Sequence, residues 1–146
     1  VSMNQEIGEL WVTALESGEH VQGRGQLRSG DSYCCLGVLC ALHLKTTGKG
    51  QWVEKKYATT NGKQGYSYAA EGDDGMSSQQ YYALPIDVQN WAGLDSAEPY
   101  IRSADASLTH LNDGPGGEPH LAWTFPQIAA AIRDNLCTEK QPVTEL

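Results

Sequence analysis

Twelve consecutive residues, Tyr33-Cys34-Cys35-Leu36-Gly37-Val38-Leu39-Cys40-Ala41-Leu42-His43-Leu44, are apolar on almost every side. A segment with no polar face has to be surrounded, so this run predicts a helix buried through the middle of a domain, with the other elements arranged around it. It is too short for the roughly 20 residues that cross a bilayer, and it carries His43. No membrane partner is therefore expected. Gly37 inside a helix is unfavourable by about 1 kcal/mol against alanine, which points to close packing on another backbone. Ser32 or Asp31 is the expected cap of this helix.

The flanking sequence supplies a first and a last helix. Ile7, Leu10, Trp11, Ala14 and Leu15 recur at helical spacing, Asn4 can cap the start, and Gly18 stops it. Near the other end, Thr124-Phe125-Pro126-Gln127 reads as a capping box with Trp123 and Ile128 as a hydrophobic staple. Phe125, Ile128, Ala129, Ile132 and Leu136 form the stripe. Leu84-Pro85 opens a shorter helix ending at Gly93. Between helices, Gln51–Tyr57 and Gly65–Ala69 alternate around Asn61-Gly62, the strongest short hairpin signal. Short strands are also expected near Gln26–Arg28 and Pro99–Arg102, and Glu71–Gly75 reads as a polar loop. The expected fold class is α+β: about four helices packed with a small antiparallel sheet, the hairpin near 51–69, in a single domain over 4–137. Residues 1–3 read as a cloning remnant and start, and 138–146 as a frayed tail.

With 146 residues, 40% of them hydrophobic, the chain has material for one core. Its net charge of −8 disfavours general nucleic-acid binding, which depends on phosphate neutralisation. The charge is uneven, however: residues 24–63 carry +5, the remainder −13. That basic stretch either complements the chain's own acidic segments or meets a small anion. Without a recognisable secretory signal, Cys34, Cys35, Cys40 and Cys137 read as reduced thiols, and the expected location is cytoplasmic.

Two segments are candidates for ligand contact. In Gln22-Gly23-Arg24-Gly25-x-x-Arg28 the glycines let backbone N–H groups approach an anion, and arginine fits phosphate with two parallel hydrogen bonds. The loop lacks the ending of a Walker motif and does not follow a clear strand, so neither nucleotide fingerprint applies. Asn112-Asp113 places an amide beside a carboxylate, suited to a ribose diol or a base edge, and suited equally to an ordinary turn. The two segments are expected to form one pocket with Tyr33 at its edge and the N–H groups of Tyr33 and Cys34 facing an anion at the helix start. Trp52, Tyr57, Tyr66 and Tyr68 on the hairpin are candidate pocket walls.

Catalytic groups are less evident. Cys34 lies in a first helical turn, where the dipole lowers a thiol pKa, with His20, His43 or His110 as conceivable bases; the apolar surroundings favour structural thiols instead. Cys40 and His43 make only half of a zinc site, so neither metal nor cofactor is expected. Asp73-Asp74 reads as solvated.

The order Trp11-Val12-x-Ala14-Leu15-x-Ser17-Gly18, Gln22-Gly23-x-Gly25-x-Leu27-Arg28, Tyr33-Cys34-Cys35-Leu36-Gly37-Val38-Leu39-Cys40, Leu84-Pro85-x-x-Val88-x-x-Trp91-Ala92-Gly93-Leu94, Leu108-x-x-Leu111-Asn112-Asp113 and Phe125-x-x-Ile128-Ala129-x-x-Ile132 resembles a family of small uncharacterised phage and prophage proteins. The resemblance spans about residues 7–136. It implies an accessory protein acting in the cytoplasm of a bacterial host. Together with the loop chemistry, the expectation is a binder that sequesters a small phosphorylated ligand, such as a nucleotide-derived immune signal. The alternatives are a hydrolase or transferase acting on such a nucleotide, and an acidic inhibitor docking on a basic host protein. Homo-oligomerisation is left open.

Overall fold

The computed structural model describes residues 3–60, 62–70 and 79–137. The expected loop at 71–75 and tail at 138–146 lie outside the described residues. Five helices pack with a mixed sheet, one helix more than expected. Helix α1 (Gln5–Ser17) begins where the Asn4 side chain accepts from the Ile7 N–H and ends at left-handed Gly18. It buries Ile7, Trp11, Val12, Ala14 and Leu15, whereas Leu10 is nearly half exposed, so the buried stripe is turned toward Val12. Helix α5 (Phe125–Asn135) carries the expected capping box between Thr124 and Gln127 and packs along α1.

The central apolar run becomes helix α2 (Cys35–Thr47), two residues later than the sequence suggests. Ser32 and Tyr33 instead form a strand, and Cys34 is the cap, its sulfur accepting from the Gly37 N–H at 3.4 Å. A thiol is a poor capping group on intrinsic preference; here the Cys34 N–H is held by the Leu27 carbonyl at 3.1 Å, which fixes where the chain turns into the helix. On the far side, the Trp11 indole donates to the Cys35 carbonyl at 2.9 Å, joining α1 to the same point. A methyl on Gly37 would overlap the Leu27 carbonyl, so α2 approaches that backbone as closely as expected.

Among the described residues the main sheet contains six strands: five in the order β1 (Val21–Gln22), β3 (Ser32–Tyr33), β2 (Arg28–Ser29), β5 (Lys63–Ala69), β4 (Gln51–Thr60), and a sixth, β6 (Gln79–Gln80), that also pairs with β5. It is mixed and not wholly antiparallel: β1 runs parallel to β3, because the chain goes from β1 to β2 past the position of β3, and the β2–β3 turn then returns it between the two. The β4–β5 hairpin pairs Thr60 with Lys63, on either side of the Asn61-Gly62 pair in sequence. Helix α3 (Ile86–Ala92) closes at Gly93, then β7 (Tyr100–Ile101) and β8 (Ala106–Ser107) form a small separate ladder, and α4 (Leu108–Asp113) leads to the α5 cap. Among the described residues no helix is long and apolar enough to cross a membrane.

The contact at Gly37 sets a test of this packing. Gly37→Ala puts a methyl into backbone that has nowhere to move, and the expected loss is about 3 kcal/mol or more, read from the urea midpoint. Gly18→Ala, where a methyl meets nothing and only the left-handed conformation is penalised, should lose about 1 kcal/mol.

Candidate functional site

Asn112 is fully buried at the end of α4, and its amide has four partners. Its Oδ1 accepts from the Cys35 N–H at 3.1 Å and from Gln22 Nε2 at 3.2 Å. Its Nδ2 donates to the Gly23 carbonyl at 2.8 Å and to Asp113 Oδ1 at 3.0 Å. Gln22 extends the lattice: Nε2 also donates to the Trp123 carbonyl at 2.8 Å, while Oε1 accepts from the Phe125 N–H at 3.1 Å. Asp113 Oδ1 accepts from the Gly25 N–H at 3.0 Å. The two polar segments singled out in the sequence are therefore neighbours. Their polar atoms are spent on one another, however, and the Asn112 amide holds the 22–25 loop instead of standing free for a ribose or a base.

The start of α2 is likewise closed. Cys34 N–H goes to Leu27, Cys35 N–H to Asn112, and Gly37 N–H to the Cys34 sulfur. The expected anion cradle at this helix start is thus filled from inside the protein, a correction that follows from the buried capping arrangement. At the thiols, burial outweighs the helix dipole. The Cys34 pKa is pushed up to about 12, outweighing the N–H groups of Gly37 and Leu36 that favour the thiolate, and burial raises Cys35 and Cys40 well above the ordinary range. A nucleophile held as a buried thiol has almost no thiolate at neutral pH. Half of the suggested zinc pair is engaged elsewhere, since His43 Nδ1 and the Tyr68 hydroxyl share a 2.7 Å hydrogen bond. No group of three His, Cys, Asp or Glu side chains suited to a metal occurs among the described residues.

Arg28 belongs to a different place from Asn112. The register aligns Gln22, Tyr33, Arg28, Tyr66 and Glu54 in one row across five strands, and directly opposed residues share a face. Trp52, two residues from Glu54 on β4, is on that face as well. The Arg28 guanidinium lies 4.1 Å from the Tyr66 ring centre and 5.5 Å from those of Tyr33 and Trp52. Its Nε donates to the Gly30 carbonyl at 2.9 Å, which orients the group. Among the described residues this is its only hydrogen bond, and no carboxylate lies within 4 Å of it. The rings continue inward, Trp52 at 4.8 Å from Tyr68 and Tyr68 against His43, while His20 meets the outer edge of Tyr33 at 5.1 Å.

The eight candidate residues thus divide in two. Gln22, Gly23, Gly25, Asn112 and Asp113 form the buried lattice with Cys35. Arg28 and Tyr33 join Trp52 and Tyr66 on the sheet. Arg24 is exposed between them, with no hydrogen bond or ion pair among the described residues. Hydrogen bonds tie the first group into a lock, and ring contacts gather the second into a cation–aromatic patch. Tyr68 is a buried support, the Tyr57 side chain lies outside the described residues, and Trp52 and Tyr66 are the hairpin rings that reach the arginine. A separate recess of about 370 Å³, lined by Asp105, His110, Leu111, Pro115 and Trp123, contains none of the eight.

Fold and site together define a small α+β protein with an arginine held on an aromatic sheet face. The chain belongs to the family described as Domain of unknown function (DUF8296), whose model matches residues 3–136. Comparisons with curated proteins and with solved structures each found no match.

Two measurements check the lattice and the thiols. Asn112→Ala leaves the Cys35 N–H and the Gly23 carbonyl without partners, so a loss of about 3 kcal/mol in urea unfolding is expected. For Cys34, the native thiol keeps its proton up to about pH 12 while the unfolded thiol releases it near 9. The stability this contributes is therefore intact below pH 9 and is lost as pH rises from 9 to 12. Unfolding free energy against pH should fall less steeply in that window for Cys34→Ser than for the parent.

Proposed function

We propose that this protein binds a small phosphorylated ligand, nucleotide-derived and carrying an aromatic base, at the Arg28 patch, and returns it chemically unchanged. The observation that carries the reading is the half-buried Arg28 guanidinium: three rings surround it, one hydrogen bond orients it, and no carboxylate neutralises it. A guanidinium oriented through Nε presents its Nη groups as a planar pair of donors, the geometry that fits phosphate oxygens two at a time. The exposed parts of Trp52 and Tyr66 supply flat apolar surface on which a base stacks, an interaction worth about 1–3 kcal/mol per base. Binding without turnover is favoured because burial keeps the thiols protonated. In the setting that the sequence resemblance implies, a phage accessory protein in a bacterial host, such a binder would sequester a nucleotide signal of host defence.

The reading is tested by titrating the protein with AMP, ADP and a cyclic dinucleotide while following tryptophan fluorescence, since Trp52 borders the site. Saturable quenching is expected, weakened at least about tenfold in Arg28→Ala and not restored in Arg28→Lys, which lacks the planar fork. Tyr66→Ala should weaken it by a similar factor. Mass spectrometry of the recovered nucleotide should show the starting mass; conversion would favour the hydrolase or transferase reading, and no quenching by any of the three would remove the proposal.

A further inference from the structure

The opposite face of the same strands carries a second polar group that the Arg28 reading does not use. Ser29 and Ser32 are directly paired across β2 and β3, so their hydroxyls share a face, the one turned away from Arg28 and Tyr33. Both residues are about nine-tenths buried, at 7% exposure each. The Ser32 oxygen accepts from Lys63 Nζ at 3.3 Å, which leaves the Ser32 hydroxyl proton and two ammonium protons of Lys63 unassigned. Among the described residues the Ser29 oxygen has no hydrogen-bond partner. Buried hydroxyls without partners are uncommon and costly, and an ion or ligand is one of the ordinary reasons they persist.

The surrounding backbone is arranged to leave these donors together. Gly65 stands directly opposite Ser29 on β5, so no side chain covers the orphan hydroxyl from that strand. Lys63, two residues before Gly65, returns to the same face and lies across Gly30. Gly30 takes a left-handed conformation, φ 57°, and its N–H donates to the Gln64 carbonyl at 2.7 Å, which locks the β2–β3 turn beneath the lysine. Lys63 has no carboxylate within 4 Å among the described residues. Two buried hydroxyl donors and an ammonium on a flexible stem, which has no carboxylate within 4 Å among the described residues, match the donors that a tetrahedral oxyanion accepts.

We propose that Ser29, Ser32 and Lys63 form a second anion site, for a phosphate-sized tetrahedral oxyanion, on the sheet face opposite Arg28. In it the Ser29 hydroxyl donates to one oxygen, Ser32 to a second, and Lys63 moves from the Ser32 oxygen to neutralise the charge. No proton is transferred and no bond is broken. The site stands independently of the nucleotide reading, because it lies on the opposite face of β2 and β3 from Arg28 and Tyr33.

Amide NMR shifts of the full chain, titrated separately with inorganic phosphate, sulfate and AMP, test this. Inorganic phosphate and sulfate should move the backbone signals of residues 29–32 and 63–65 saturably, with affinity lowered about tenfold in Ser29→Ala and in Lys63→Gln. Response to AMP at the same signals would show that a phosphate ester enters as well as the free ion. Folding is controlled within the set: Ser29→Ala removes an unpartnered hydroxyl, so its melting temperature without phosphate should equal or exceed that of the parent, and only the parent's should rise on adding phosphate. No saturable shift, or a shift unchanged in both variants, overturns the proposal. A phosphate response lost in Arg28→Ala and kept in Ser29→Ala also overturns it, while leaving the Arg28 patch intact.

Discussion

The Asn112 amide is the point on which the arrangement of the other elements depends. One side chain pairs with the first turn of the central helix, with the loop after β1, and through Gln22 with the backbone where α5 begins. Each of those segments leaves backbone groups that regular structure does not satisfy, in buried or part-buried positions where an unpaired amide or carbonyl is costly. An asparagine, with two donors and two acceptor positions on one plane, can serve them together; an aspartate has no donor and a leucine has neither. The lattice is cooperative, since losing Asn112 also frees Gln22 and Asp113.

Because that lattice fixes β1 and the α2 start, it also fixes the row to which Arg28 belongs. Gln22 opposes Tyr33, Tyr33 opposes Arg28, and Arg28 opposes Tyr66, so a displacement at Gln22 is passed along the row to the guanidinium. Support and patch are thus ends of one construction. The charge distribution has the same logic. The basic segment 24–63 was open to two readings, neutralisation by the chain's own acids or contact with an external anion. Among the described residues, none of Arg24, Arg28, Lys55 and Lys63 has a carboxylate within 4 Å, whereas Arg133, outside the segment, pairs with Glu9 and Glu16. Glu9 and Glu16 are answered by an arginine at the far end of the chain, whereas Arg28, Lys55 and Lys63 stand on the sheet.

What was legible in the sequence follows the length over which a pattern repeats. Helices α1 and α5 span three turns, enough for the spacing of Trp11 and Leu15 or of Ile128 and Ile132 to declare a buried face, and the capping box at Thr124 needs only local contacts. The β4–β5 hairpin is read from Asn61-Gly62 for the same reason. By contrast β1, β2 and β3 are two residues each, too short for alternation to appear, and their order, including the parallel β1–β3 pair, is set by tertiary contacts. The α2 boundary was misplaced because Ser32 outranks Cys34 as a cap in isolation. Only the Leu27 carbonyl and the pairing of Ser32 with Ser29 decide otherwise.

The site was legible in its residue types and not in their partnership. Arg28 stood beside glycines and Asn112 beside Asp113, and both groups read as ligand contacts because exposed turns and buried locks use the same small polar residues. Burial separates them: Asn112 is wholly enclosed, with a partner for every polar atom, while Arg28 is half enclosed and lacks a counter-charge. The union of Arg28 with Trp52 and Tyr66 depends on the β2–β5 register, a contact between residues almost forty positions apart that no local spacing encodes. A guanidinium between aromatic faces retains its charge and loses little freedom on meeting an anion, because its stem is already ordered by the rings and by Gly30. That preorganisation distinguishes Arg28 from Arg24, a neighbour of equal charge on an exposed loop, and is why the sheet rather than the glycine loop is the better place for a ligand.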